Sequence, residues 1–101
     1  MEYEIQWSEE AKADIRQMPV FRRGPLFAAI EHLRYRPETE TRNRKPLVQP
    51  IEALPEATWE VRVGDYRGIY RIEQGQTVRV LRVIFKATST TAEAVARGRR
   101  P

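Results

Sequence analysis

The chain contains no cysteine, which excludes disulfides, thiolate nucleophiles and metal sites built on sulfur. It has a single histidine, His32, and no His and carboxylate cluster at ligand spacing, so neither a metal nor another cofactor is expected. Its five glycines stand singly, and none belongs to a glycine-rich phosphate loop. No run of about 18 apolar residues occurs, so no membrane span is expected. The opening MEYEIQWSEE is acidic and lacks an apolar signal core, which points to the cytoplasm.

Arginine, by contrast, is abundant. Of 18 basic residues 15 are arginine, whose planar, permanently charged fork suits phosphate. The charge is also unevenly placed. Residues 1–56 hold nine Lys/Arg against ten Asp/Glu, and residues 57–101 hold nine against four. A length of 101 residues fits one domain, 1–101, with a modest core.

Residues 2–7 alternate, with Tyr3, Ile5 and Trp7 on one side, and predict an edge strand. Ser8 is a natural helix N-cap, with Glu9 and Glu10 at the positive end of the dipole. The helix should run to about Gln17, burying Ala11, Ile15 and Met18, with Pro19 ending it. A second helix is expected to open near Pro25 and to run to about Arg36. Leu26, Phe27, Ile30 and Leu33 form its apolar stripe. His32 falls off that stripe and is read as solvated. From Glu38 to Ala57 the chain reads as irregular, with a basic cluster of Arg42, Arg44 and Lys45 and with Leu47, Ile51 and Leu54 as anchors. After Lys86, Thr90 and Glu93 fit a capping box that opens a short C-terminal helix.

Between lies the stretch that carries the positive charge, residues 59–86. Trp59–Val63 alternates, and Gly64-Asp65 suits a type II′ hairpin turn. Closing it pairs Arg62 with Arg67 and Trp59 with Tyr70. Trp59, Val61, Val63, Tyr66, Tyr70 and Ile72 then share an apolar face, and Glu60, Arg62, Arg67, Ile69 and Arg71 a charged one. The next turn, near Gln74-Gly75, decides the third strand. A two- or four-residue loop sets Arg82 beside Arg67, with Val78, Val80, Ile84 and Lys86, and sends Leu81, Val83 and Phe85 into the core. A three-residue loop turns Arg82 inward. The first register is preferred because it keeps a guanidinium out of the core. It predicts a row of Arg62, Arg67 and Arg82 ending at Lys86, a candidate anion site.

These residues resemble the RelE/ParE superfamily of bacterial type II toxins. The likeness runs through Ala11-x-x-Asp14-Ile15, Lys45-Pro46-Leu47, Trp59-x-Val61-Arg62-Val63-Gly64-Asp65-Tyr66-Arg67, Ile69-Tyr70-Arg71-Ile72 and Val78-x-Val80-Leu81-Arg82-Val83. It implies an α+β fold, a helical hairpin on a mainly antiparallel sheet of about four strands. It also implies a toxin neutralised by a cognate antitoxin protein. In ribonuclease members the toxin cuts mRNA on the ribosome without a metal, by 2′-hydroxyl attack on the adjacent phosphate. In the ParE branch the fold poisons DNA gyrase, and a catalytically weakened basic binding module is a further alternative.

By that resemblance Arg67 matches the strand arginine at the scissile phosphate. Arg62 matches a basic residue on the preceding strand, and Lys86 one after the last strand. Arg82, Lys45, Arg44, Arg42 and Arg71 would add RNA contacts. Ribonuclease relatives commonly carry a lysine where this chain has Glu60, and an aromatic or histidine after the last strand, where it has Ala87, Thr88 and Ser89. Glu60 as base and Lys86 as acid are the candidates for proton transfer. The other reading of Glu60 is an ion pair with Arg62 or Arg67.

Overall fold

Ser8 sets the first turn of the fold. In the computed structural model of the chain, which describes residues 2–86 and Val95, the Ala11 amide donates to Ser8 Oγ at 3.0 Å. Ser8 thereby caps helix α1 (Glu9–Gln17). Its own hydroxyl donates to the Leu81 carbonyl at 2.8 Å, so the same residue ties the helix to the sheet. Before it runs strand β1 (Glu4–Trp7). Ala11, Ile15 and Met18 are buried as their spacing predicts.

Helix α2 spans Val20–Glu31, opening earlier than Pro25 and ending earlier than Arg36. Pro19 takes the N-cap, so two helices follow with almost no break. Arg23 reaches back to the carbonyls of Arg16 and Met18 and satisfies acceptors at the end of α1. Pro25 sits inside the helix. The carbonyl it leaves without a helical donor belongs to Phe21, which is 76% exposed and open to water. A 3₁₀ turn, His32–Arg34, closes the segment. Leu26, Ile30 and Leu33 are buried, whereas Phe27 is half exposed and meets Trp7 edge-on. His32 is exposed.

The remaining strands are β2 (Arg44–Pro46), β3 (Trp59–Val63), β4 (Tyr66–Glu73) and β5 (Thr77–Phe85). They join β1 in one sheet of order β1-β5-β4-β3-β2. β1 lies on the edge, parallel to β5, and the other pairings are antiparallel. The fold is therefore α+β, two helices packed on a mixed five-stranded sheet. β2, at three residues, is too short to show an alternation in the sequence.

The first hairpin has the predicted register, Arg62 opposite Arg67 and Trp59 opposite Tyr70. Of its two turn residues only Gly64 has a positive φ, +58°, as a II′ turn requires. The second hairpin differs from the register preferred above. Glu73 pairs with Thr77, so the turn is three residues, with Gly75 and Gln76 both left-handed. A register shift between Ile69 and Tyr70 then leaves Leu81 without a partner, since Ile69 pairs with Arg82 and Tyr70 with Val80. The turn and this bulge together re-aim β5. Val78, Val80 and Val83 pack under the helices. Leu81 and Ile84 point to the other face, and Phe85 is half exposed.

That other face is not purely charged. Ile69, Leu81 and Ile84 form a second apolar cluster covered by Ile51, Leu54, Ala57 and Val95, so the segment read as an irregular connector is a lid on the sheet. The predicted capping box and C-terminal helix lie outside the described residues apart from Val95, which is helical and buried. Tyr70, fully buried, donates from its hydroxyl to the Pro37 carbonyl at 2.8 Å. Burial holds its pKa above the usual phenol range.

Candidate phosphate-binding face

The II′ turn brings Arg62 and Arg67 to the same end of the sheet face opposite the helices as a direct cross-strand pair. Two like charges so placed repel unless a counter-charge intervenes. Glu60 supplies it. Its carboxylate, on the same strand and face as Arg62, is almost fully buried. Arg62 donates to Glu60 Oε2 from Nε and stands at 2.9 Å from it through Nη2. Arg62 itself remains 42% exposed. This is the ion-pair arrangement, made along the strand rather than across it.

Arg67 has a different environment. Its Nη1 donates to the carbonyls of Gly64 and Tyr66 at 2.8 and 2.9 Å, and its buried Nε has no partner among the described residues. No carboxylate pairs with it among the described residues. A guanidinium fixed by turn carbonyls and left without a counter-ion among the described residues is prepared for an external anion. Lys86 closes the same corner, its backbone amide donating to the Asp65 carbonyl at 2.7 Å.

Arg82 does not join them. It is 5% exposed and donates from Nε and Nη2 to Asp14 of α1 at 2.7 and 3.0 Å. The Val83 amide donates to the same carboxylate at 2.8 Å. The row of Arg62, Arg67 and Arg82 is thus replaced by a pair on one face and a buried salt bridge leading to the helices. The physical reason is that a two-pronged carboxylate on α1 removes the penalty for burying the guanidinium.

The remaining candidates scatter. Arg44 faces the helix side, donating to the carbonyls of His32, Tyr35 and Arg36, where it neutralises the negative end of α2 and its 3₁₀ extension. Lys45, opposite Glu60 in the β2–β3 ladder, forms an ion pair with Glu40 at 3.1 Å. Arg42 is exposed on the approach to β2. Arg71 lies at the far end of β4, where it pairs with Glu73. Directly opposite stands Arg79, which the sequence pattern alone does not place. Its one signal was the length of the turn between them. Glu73 accepts from both arginines, and their hydrogen bonds hold its carboxyl below the usual range. Among the described residues no group of three or more His, Cys, Asp or Glu side chains is placed to hold a metal. No helix among them is long and apolar enough to cross a membrane.

Two helices on a mixed sheet, with arginines at the end of its hairpin, define a small toxin-like α+β domain, and the comparisons with known proteins agree. The model of the ParE toxin of type II toxin–antitoxin systems matches residues 5–89, and the chain belongs to that family. Among solved structures it is similar to the RelBE2 toxin–antitoxin complex of Mycobacterium tuberculosis, at 28% identity and TM-score 0.55, covering 82% of this chain and 96% of the other. The archaeal RelE–RelB complex of Pyrococcus horikoshii is 17% identical with TM-score 0.64 over 82% and 93% of the two chains. A mutant of the E. coli toxin RelE in the free state is 22% identical with TM-score 0.63 over 96% and 98%. The last two speak for the fold alone. No curated protein matches the chain at a significant level.

Proposed function

We propose that this toxin is an mRNA endonuclease that acts on the ribosome and arrests translation until a cognate antitoxin binds it. The observation that supports this reading best is Arg67, a guanidinium held by turn carbonyls with no counter-ion among the described residues. In the reaction the 2′-hydroxyl gives its proton to solvent water as its oxygen attacks the adjacent phosphorus, and the bond to the 5′-oxygen breaks, leaving a 2′,3′-cyclic phosphate and a 5′-hydroxyl end. Arg67 and Arg62 stabilise the negative charge that builds on the phosphoryl oxygens. Lys86, at the same corner, donates the proton taken up by the leaving 5′-oxygen. Glu60 holds Arg62 in position. The chain's main contribution on this reading is charge stabilisation, and no step needs a metal. The antitoxin partner is supported by the toxin–antitoxin complexes among the similar structures, and the cytoplasm is the compartment this target requires.

The test is induction of the wild-type chain and of Arg67→Ala in bacteria, with mRNA ends mapped by primer extension. Codon-phased cuts in the wild type alone are expected. Growth arrest with intact mRNA would sink the proposal.

A second reading, inhibition of DNA gyrase without nuclease chemistry, is favoured by Glu60, whose carboxylate is already engaged by Arg62 and is a poor base. Supercoiling by gyrase at toxin excess separates the two readings, because a nuclease leaves it unchanged.

A further inference from the structure

Besides Arg62 and Arg67, the sheet carries a second in-register arginine pair, at its other end. Arg71 on β4 and Arg79 on β5 are direct partners, and Gln6 on β1 is the next residue in the same line. One carboxylate oxygen holds the group together. Glu73 Oε2 accepts from Arg71 through Nε at 2.8 Å and through Nη2, and from Arg79 Nε at 3.0 Å. Arg79 Nη2 donates to Gln6 Oε1 at 2.8 Å.

Two features set this group apart from an ordinary surface salt bridge. A single arginine would neutralise Glu73, and a second one directly opposite costs repulsion, yet both are built in. Glu4 accepts from Gln6 on the same face at 3.4 Å but pairs with neither arginine, so the Arg71–Glu73–Arg79 contacts themselves carry one net positive charge. Each guanidinium has five N–H donors and uses two here, so donors remain on two side chains that are each about one-third exposed. A fixed, partly exposed, undercompensated pair of forks matches the oxygens of a phosphodiester.

We propose that Arg71 and Arg79 form a second RNA phosphate site. Four residues of β4 separate it from Arg67, about 13 Å at strand spacing. The lid over Ile69, Leu81 and Ile84 lies between them. A single strand cannot run flat along the face from one site to the other. The pair therefore takes the backbone of a folded RNA, while Arg67 takes the strand to be cut. This inference rests on the RNA reading, and the experiment separates their failures.

The probes are a labelled single-stranded 12-nucleotide RNA, a labelled RNA hairpin of similar length, and inorganic phosphate. Arg79→Ala is the primary variant because Glu73 keeps Arg71 as its partner and the fold is spared. Fluorescence anisotropy across a salt series should show Arg79→Ala binding the hairpin about threefold to tenfold more weakly, with the salt slope smaller by about 0.7 to 1. The single strand should be much less affected. Arg67→Ala should weaken the single strand. In parallel, the Nε–H NMR signals of Arg71 and Arg79 should shift on titration with phosphate. If Arg79→Ala leaves hairpin affinity and slope unchanged while Arg67→Ala still weakens the single strand, the second site is overturned and the RNA reading stands. If no RNA binds but phosphate shifts those signals, the anion site stands and its RNA assignment falls. Unshifted signals and no RNA binding overturn both.

Discussion

Asp14 on α1 holds Arg82 on β5 in a two-pronged, largely buried ion pair, and takes the Val83 amide with the same carboxylate. It therefore fixes three things at once: the helix against the sheet, the strand just past the bulge, and an arginine away from the anion site. Removing one partner strands the other charge. Arg82→Ala or Asp14→Ala should cost about 3–5 kcal/mol, read as a lowered midpoint in urea unfolding. The volume-matched pair Asp14→Leu with Arg82→Met should recover most of that loss. If Arg82→Ala unfolds at the wild-type midpoint and instead abolishes RNA binding, Arg82 belongs to the site after all.

Glu60 and Arg62 allow a prediction of opposite sign. Glu60 carries a negative charge on the face that is to bind an anion, and Arg62 partly cancels it. Glu60→Gln should therefore tighten binding of a single-stranded RNA by about threefold, the size of one unit charge acting at a partly exposed distance. It should also cost about 1–2 kcal/mol of stability, because the buried acceptor weakens. Toxicity should not rise in proportion, since Arg62 loses the group that positions it. Binding that weakens in Glu60→Gln would mean that the carboxylate itself contacts the ligand.

These two pairs show what the sequence made legible. The first helix, its Ser8 cap and the 59–70 hairpin were readable because each is decided by neighbours: a cap, an apolar spacing, a glycine at a turn. Arg82 and Arg79 were not, because their directions depend on a three-residue turn and an unpaired Leu81, and the bulge is held by Ser8 and Asp14, some 70 positions away. The preference for keeping Arg82 out of the core rested on sound desolvation physics and lacked only its partner. Leu47, Ile51 and Leu54 were legible as apolar anchors, but not that they cover Ile69, Leu81 and Ile84, because that depends on where an irregular segment folds back over distant strands.

Glu73 gives a pH dependence with a definite sign. Its carboxyl titrates below the usual glutamate range because Arg71 and Arg79 donate to it. A depressed folded-state pKa means that the stabilisation is complete above the unfolded-state value, near 4.3, and disappears as pH falls through the folded-state value. The gap in unfolding free energy between wild type and Glu73→Gln should therefore be constant at neutral pH and close on acidification. A gap that widens below about pH 4 would show that the pair does not hold Glu73 in solution.

At Gly68 a helix side chain comes close to the sheet backbone. A Cβ there would stand 2.9 Å from Val61 Cγ1 and 3.0 Å from Ile30 Cδ1, both core residues. Val61 is β-branched and stiff, whereas the Ile30 methyl can turn aside, so the two neighbours yield unequally. Gly68→Val should overpack the site and cost about 1–3 kcal/mol. Gly68→Ala should cost less, and Ile30→Val should offset part of that loss by removing the methyl it meets. A Gly68→Ala chain that unfolds at or above the wild-type midpoint, whether or not Ile30 is changed, would mean that α2 has room to ride further from β4.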